Sequence, residues 1–203
     1  MRKLIVLTFI TLDGVIQAVS GPDEDPSGGF MYGGWTTPYF DDFLDQVMIG
    51  QMSKSFDMVF GRKTYELFAA FWPFQDNEKS PLAAGINAAR KYVASTTPLK
   101  LDWSNSTLLQ GDVAQAIQAL KQQDGPELQA HGSGKLIQTL LKHDLVDELW
   151  LKIFPITLGT GKRLFGEGTI PAAFSLREVK ASPSGVIVAS YERAGAVQTG
   201  TWT

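Results

Sequence analysis

Apolar positions along this chain switch repeatedly between a strand rhythm and a helix rhythm. Residues 3–10 form a short, nearly continuous apolar run rich in β-branched and aromatic side chains, which predicts a buried strand. Phe40, Phe43, Leu44, Val47 and Met48 follow at helical spacing behind Thr37-Pro38, which reads as N-cap and first helical residue. Asp57–Phe60 is the next predicted strand, and Thr64–Phe71 a short helix that stops before Pro73. Lys91–Ala94 is a strand and Thr107–Leu109 a weak one. Asp112 caps a helix with Val113, Ala116, Ile117 and Leu120 facing inward. Leu128–His131 is a strand, and 133–142 a helix striped by Leu136, Ile137, Leu140 and Leu141. Asp147–Phe154 alternates, with Leu149, Leu151 and Ile153 on one face and Trp150, Lys152 and Phe154 on the other. Phe174–Ala181 and Val186–Glu192 flank Ser182-Pro183-Ser184-Gly185, a hairpin signal.

Strands that alternate with helices and end in a hairpin predict an α/β fold with a mixed, mostly parallel sheet and an antiparallel edge. No repeat and no linker divides the chain, so residues 1–193 are expected to form one domain. Residues 194–203 have too little apolar content to dock and are expected to be a loose tail. Residues 17–34, rich in glycine and proline and without apolar period, form a long loop of the kind that covers a site.

Composition narrows the chemistry. Of 203 residues, 44% are hydrophobic and 19% charged, which excludes a disordered chain. A net charge of −3 gives no electrostatic footprint for nucleic acid or an anionic membrane. Without cysteine there is no disulfide, thiolate nucleophile or cysteine–zinc site, and with two histidines no multi-histidine metal centre, so no metal is expected. The apolar run Lys3–Leu7 is too short and too strand-like for a signal peptide or membrane span, and a cytoplasmic location is the default.

Two segments carry the chemistry. In Met58-Val59-Phe60-Gly61-Arg62-Lys63-Thr64 and in Leu128-Gln129-Ala130-His131-Gly132-Ser133-Gly134-Lys135-Leu136, an apolar strand runs through glycine into a helix start with basic and hydroxyl residues. Helix N-termini expose unpaired N–H groups and the positive end of the dipole, and glycine lets an anion approach the backbone closely. Two such elements suggest a ligand with two phosphates, such as a dinucleotide. The Rossmann fingerprint is absent, since Thr11-Leu12-Asp13-Gly14 follows the first strand. Gly159-Thr160-Gly161-Lys162-Arg163 is not a P-loop, because Ile156 and Arg163 stand where glycine and Ser or Thr are required.

Four segments together resemble one family: Thr11-Leu12-Asp13-Gly14-Val15-Ile16; Phe60-Gly61-Arg62-Lys63-Thr64-Tyr65-Glu66; Gly132-Ser133-Gly134-Lys135-Leu136; and Asp147-Glu148-Leu149-Trp150 leading to Pro155-Ile156-Thr157-Leu158-Gly159-Thr160-Gly161-Lys162-Arg163-Leu164-Phe165. Their order and spacing are similar to the dihydrofolate-reductase-like superfamily. Within it they look most like the reductase domain of the bifunctional riboflavin-biosynthesis deaminase–reductase. The resemblance implies a three-layer α/β/α fold and NADPH as cofactor. Carried over by position, Gly61, Arg62, Lys63 and Thr64 would hold the pyrophosphate and adenosine end. Ser95 and Thr96 would approach the 2′-phosphate, and Gly132, Ser133, Gly134, Lys135 and Leu136 would close on the pyrophosphate from the other side. Arg62 and Lys135 supply the charge that favours NADPH over NADH. The implied substrate is the ribosylaminopyrimidine phosphate of riboflavin synthesis, in a homodimeric reductase. The alternatives are a pterin or xenobiotic reductase, and a nucleotide-binding protein that has lost turnover.

Substrate-side residues have two readings each. Asp41 borders the apolar helix face and is the candidate catalytic carboxylate, or it is a plain surface acid. Asp13 meets substrate or bonds the amides of its own turn. Trp35 is a stacking wall or a core plug. Lys162 and Arg163 are the spare cations that a phosphorylated substrate would need. Trp150 and Phe154, flanking Lys152, pack beneath a helix or form a dimer surface.

Overall fold

The computed structural model describes residues 1–166 and 169–202; Thr203, the end of the expected tail, lies outside the described residues. Eight strands form one sheet: β1 (Leu4–Thr11), β2 (Phe56–Gly61), β3 (Lys91–Ala94), β4 (Ser106–Leu108), β5 (Glu127–His131), β6 (Glu148–Phe154), β7 (Phe174–Ala181) and β8 (Ile187–Arg193). Their order is β4-β3-β2-β5-β1-β6-β8-β7. The first six are parallel, and β8 and β7 complete the sheet antiparallel. The mixed sheet with its antiparallel C-terminal edge is the architecture expected from the sequence. Parallel pairing needs long crossover connections, usually helices, and buries both faces. Accordingly Leu4, Ile5, Val6 and Leu7 in central β1 are all buried.

Five α-helices cover the two faces: α1 (Asp42–Gln51), α2 (Arg62–Phe71), α3 (Pro81–Ala88), α4 (Val113–Gln122) and α5 (Gly134–Lys142). On one face Leu4, Val6, Val59, Leu128 and Leu149 pack against Ile117 and Leu120 of α4 and the Leu136/Ile137/Leu140/Leu141 stripe of α5. On the other, Phe56, Met58 and Phe60 meet Tyr65 of α2, Ile86 of α3 and Trp103. A third cluster joins Leu44 of α1 to Val15, Trp35, Phe154 and Val186. Each such fully buried aliphatic or aromatic side chain stabilises by about 1.5–3 kcal/mol.

Two expectations need correction. Thr37–Tyr39 is a 3-10 turn rather than the start of a helix, because Phe40 is extended (φ −72°, ψ 130°). The helix begins at Asp42 behind Asp41, whose side chain accepts from Leu44 N at 2.9 Å. Of the five residues assigned to its apolar face, Leu44 alone is fully buried, and Phe40 lies outside the helix. Helix α3 escaped the periodicity reading, although Ser80-Pro81 is a cap-and-first-turn signal; Ser80 Oγ accepts from Ala83 N at 3.2 Å.

Loop 17–34 is fastened at several points. Trp35 Nε1 donates to Gln17 O at 2.8 Å, and Gln17 Nε2 donates to Asp25 O and Ser27 O at 2.8 and 3.0 Å. Phe30 plugs it into the core. Residues 194–202 carry no helix or strand and are exposed.

Candidate functional site

Parallel strands β3, β2 and β5 lie side by side, so their carboxyl ends open on one edge, where open α/β sheets bind ligands. There the two glycine-containing turns interlock. Gly61 N donates to Ser133 Oγ at 2.9 Å, and Ser133 N donates to Thr64 Oγ1 at 3.0 Å. Gly132 and Ser133 are both left-handed (φ 54° and 51°), and a Cβ at Gly132 would stand 3.3 Å from Thr64 Cγ2. Glycine therefore allows β5 to turn against α2 at this spot.

With the Ser133 and Thr64 hydroxyls engaged by each other's turns, neither caps a helix. Asp41, Ser80 and Asp112 cap α1, α3 and α4 with their side chains. No side chain caps α2 or α5. The first-turn N–H groups of two helices are thus left open at one sheet edge, a cradle suited to a pyrophosphate. Gly61, Arg62, Lys63, Thr64, Gly132, Ser133, Gly134, Lys135 and Leu136 all meet there; Leu136 is buried beneath it and Lys135 is exposed.

At the adjoining end of β3, Ser95 Oγ donates to Thr97 O at 2.6 Å and accepts from Thr97 N at 3.2 Å, forming a tight turn that includes Thr96. Arg62 bonds Thr97 Oγ1 with Nη1 and Glu66 with Nε at 2.8 Å, so its guanidinium lies between the carboxyl ends of β2 and β3. Lys63 extends the other way, 3.8 Å from Asp25 of the long loop.

The substrate-side residues do not gather in the same way. Asp13 accepts from Thr11 Oγ1 at 2.5 Å, Gly159 N at 2.8 Å and Leu158 N at 3.2 Å. The Thr11 hydroxyl first, and then these amides against the cost of burial, hold its carboxyl below the usual range. Arg163 lies on Asp13, with Nη1 donating to its carbonyl at 2.5 Å and Nη2 at 3.5 Å from its carboxylate. Lys162 Nζ is paired with Asp25 and donates to Ser27 Oγ at 2.7 Å. These contacts join the 12–16 turn, the long loop and the 158–164 segment into one unit. Gly161 (φ 115°) lies at its centre, where a Cβ would stand 2.8 Å from both Phe30 and Val15. Trp35 is buried, edge-on to Phe154 at 5.2 Å. Asp41 also accepts from Ser184 N at 3.3 Å, and the Leu44 amide foremost holds its carboxyl low.

One cluster has no counterpart in the sequence reading. Lys152 on β6 is buried; its Nζ donates to Gln51 Oε1 at 2.6 Å and lies 5.4 Å from the centre of the Phe9 ring. Burial pushes its pKa down to about 7. On β5, Gln129 donates to Gln51 O at 3.1 Å and pairs with His131 Nε2 at 3.1 Å. Burial, and then the charge on Lys152, push His131 down to about 3. The available signal was a lysine in the inward register of an alternating strand, between Trp150 and Phe154.

Among the described residues, no group of three His, Asp or Glu side chains could hold a metal, and no helix is long and apolar enough to cross a membrane. Comparison with solved structures gives a putative riboflavin biosynthesis protein from Shewanella sp. PV-4 at 24% identity and TM-score 0.72, covering 95% of this chain and 99% of that one. A pyrimidine reductase-like protein from Corynebacterium diphtheriae superposes at 14% identity and TM-score 0.61, covering 95% and 92%. These likenesses establish a dihydrofolate-reductase-like α/β fold. By sequence, the uncharacterized protein YyaP of Bacillus subtilis is 30% identical over 171 residues, 81% of this chain and 80% of its own length. The uncharacterized protein YwjB of the same organism is 24% identical over 184 residues, 88% and 91% of the two chains. The family model of the RibD C-terminal domain matches residues 2–188, and the chain belongs to that reductase-like family.

Proposed function

We propose that this protein is an NADPH-dependent reductase of the riboflavin-biosynthesis type. The observation that carries the reading is the pair of uncapped helix N-termini, α2 and α5, locked together by the Gly61–Ser133 and Ser133–Thr64 hydrogen bonds. Their free amides fit the two phosphates of a dinucleotide. Arg62, steadied by Glu66 and Thr97 beside the Ser95–Thr97 turn, fits the additional 2′-phosphate. When bound, the cofactor supplies a hydride to a C=N or carbonyl carbon. The chain's part is to orient the two reactants, exclude water and deliver a proton.

A specific observation favours a second substrate class. Lys162 and Arg163, the cations nominated for a substrate phosphate, are already matched to Asp25 and Asp13. The cleft between the long loop and α2 is bounded by Glu24, Asp25 and Glu66 against one cation, Lys63. These charges suit an unphosphorylated heterocycle, pterin-like or xenobiotic, better than a sugar phosphate. Exposed Leu176 and Val179 on edge strand β7 support a homodimer.

Calorimetry with NADPH and NADH tests the cofactor. NADPH should bind at least about tenfold more tightly, roughly 1.4 kcal/mol, and Arg62→Ala should remove most of that preference with the fold intact. Equal affinity for both, or binding of neither, refutes the assignment.

A further inference from the structure

Among the described residues three lysines are buried: Lys91, Lys121 and Lys152. Lys121 is ion-paired, and Lys91, which burial lowers to about 8, still has two carbonyl acceptors. Lys121 Nζ lies 2.6 Å from Asp147 and donates to Leu145 O at 2.7 Å. Lys91 Nζ donates to Asn87 O and Ser104 O at 2.7 and 3.2 Å and lies 4.1 Å over the Trp103 ring. Lys152 has a single oxygen partner, Gln51 Oε1, and no carboxylate within ion-pair distance among the described residues. A buried ammonium with one acceptor is costly, since it has three protons to satisfy and has lost its water. Its surroundings are shallow. Phe9, Gln51 and His131, which neighbour the amine, are each only half-buried, although Lys152 itself is buried. Gln51 belongs to α1, and the His131 ring lies tilted 6.2 Å from the Phe68 ring of α2, so the amine lies between these two helices on the sheet face. Pairing across the strands sets Lys152 beside Phe9 of β1, while His131 leads directly into the Gly132–Ser133 turn of the dinucleotide cradle.

We propose that Lys152 is the proton donor of the reduction, its Nζ meeting the nitrogen or oxygen of the substrate bond beside the Phe9, Gln51 and His131 side chains. The proposal rests on the reductase reading. In the step, a hydride from the reduced nicotinamide dinucleotide forms a C–H bond at the substrate carbon as the C=N or C=O π pair moves to the heteroatom. That heteroatom takes a proton from the Lys152 ammonium, leaving a neutral amine, and water returns the proton. Other groups at this edge are poorly suited. Asp13 and Asp41 are held ionised by the hydrogen bonds they accept, and His131 is held neutral. The charged and titratable surroundings of Nζ are His131 on β5 and, one hydrogen bond further out, Glu127, which accepts from Gln129 at 2.7 Å. Neither is close enough to form an ion pair that would fix the ammonium. Lys152, near 7, is the group present in both protonation states at neutral pH.

Protein carrying lysine labelled with carbon-13 at Cε tests this directly. One resonance, absent from Lys152→Met, should titrate near 7 rather than 10.5 and shift when NADP⁺ is added with dihydrofolate or the ribosylaminopyrimidine phosphate. Lys152→Met, with Lys152→Gln as second variant should the first misfold, should bind dinucleotide within about twofold of wild type and lose at least about 100-fold in kcat. The basic limb of the wild-type kcat–pH profile should follow the same titration. The assignment is overturned by titration with the ordinary lysines, by a resonance indifferent to every ligand mixture, or by a variant whose kcat falls less than threefold. If wild type binds no dinucleotide, the reductase reading falls and this proposal with it. If it binds dinucleotide but reduces neither probe, those substrates are wrong and the titration alone decides Lys152.

Discussion

Replacing Lys152 with Met should stabilise the protein at and below neutral pH. In the folded chain burial holds the amine near 7, whereas unfolded it titrates at the ordinary 10.5. Between these values the unfolded chain keeps a proton that the folded chain has released, so stability rises with pH across that window. Below 7 both states are protonated, and the folded protein bears the whole penalty of a buried charge. The difference between 10.5 and 7 corresponds to about 5 kcal/mol at about 1.4 kcal/mol per pH unit, an upper bound. Methionine keeps the aliphatic stem, so little cavity forms, but Gln51 Oε1 loses its donor at a cost of about 1–3 kcal/mol. The net gain should therefore be about 2–4 kcal/mol near pH 6. It should shrink as pH rises and reverse once the amine is neutral in both states. Urea unfolding at three pH values from mildly acidic to alkaline measures this. A gain that is the same at every pH, or a variant less stable than wild type near pH 6, would refute the reasoning, because either result means that the folded amine is not held uncharged by burial. The same variant should lose turnover, so stability and function would pull this residue in opposite directions.

Three further outcomes are expected. Gly161→Ala should cost about 2–4 kcal/mol in chemical denaturation, because a Cβ 2.8 Å from Phe30 and Val15 adds to the strain of a positive φ; a cost below about 1 kcal/mol would mean that the loop simply yields. Thr64→Val keeps the shape but removes the acceptor for Ser133 N, so NADPH should bind about tenfold more weakly while the melting temperature falls by only a few degrees, and unchanged affinity would separate the interlock from the cradle. Asp41→Ala should lower the melting temperature by a few degrees through loss of the α1 cap, whereas Asp41→Asn should not; loss of turnover in Asp41→Asn without any change in melting would give this residue a chemical role beyond capping.

Local chemistry made the elements legible. Strand β1 and most of β2 show as apolar runs because a parallel sheet buries both faces, and the α5 stripe shows because one helix face meets that sheet. The helix start at Gly132 was visible for a related reason, since its left-handed backbone favours glycine, whereas Gly61 is extended and was read from the basic and hydroxyl residues that follow it. The true start of α1 was not visible. Thr37-Pro38 and Asp41 are both good starts, and the choice fell to Asp41, whose side chain also meets the β7–β8 turn 143 residues away.

The amino-acid order by itself determined which segments became strands and helices, the family they spell, and the two glycine-led helix starts proposed to hold the cofactor. Partnership was decided by the tertiary structure. The Ser133 hydroxyl accepts from Gly61 instead of capping α5, and its amide donates to Thr64; Asp13 and Asp25 claim the cations Arg163 and Lys162, and Trp35 plugs the core. Lys152, which reads as an ordinary charge in an alternating strand, becomes a buried amine with one acceptor. Each of these depends on which distant group arrives within about 3 Å, the range over which a hydrogen bond or ion pair acts. Sequence periodicity reports the face on which a residue lies but not the atom that will meet it there.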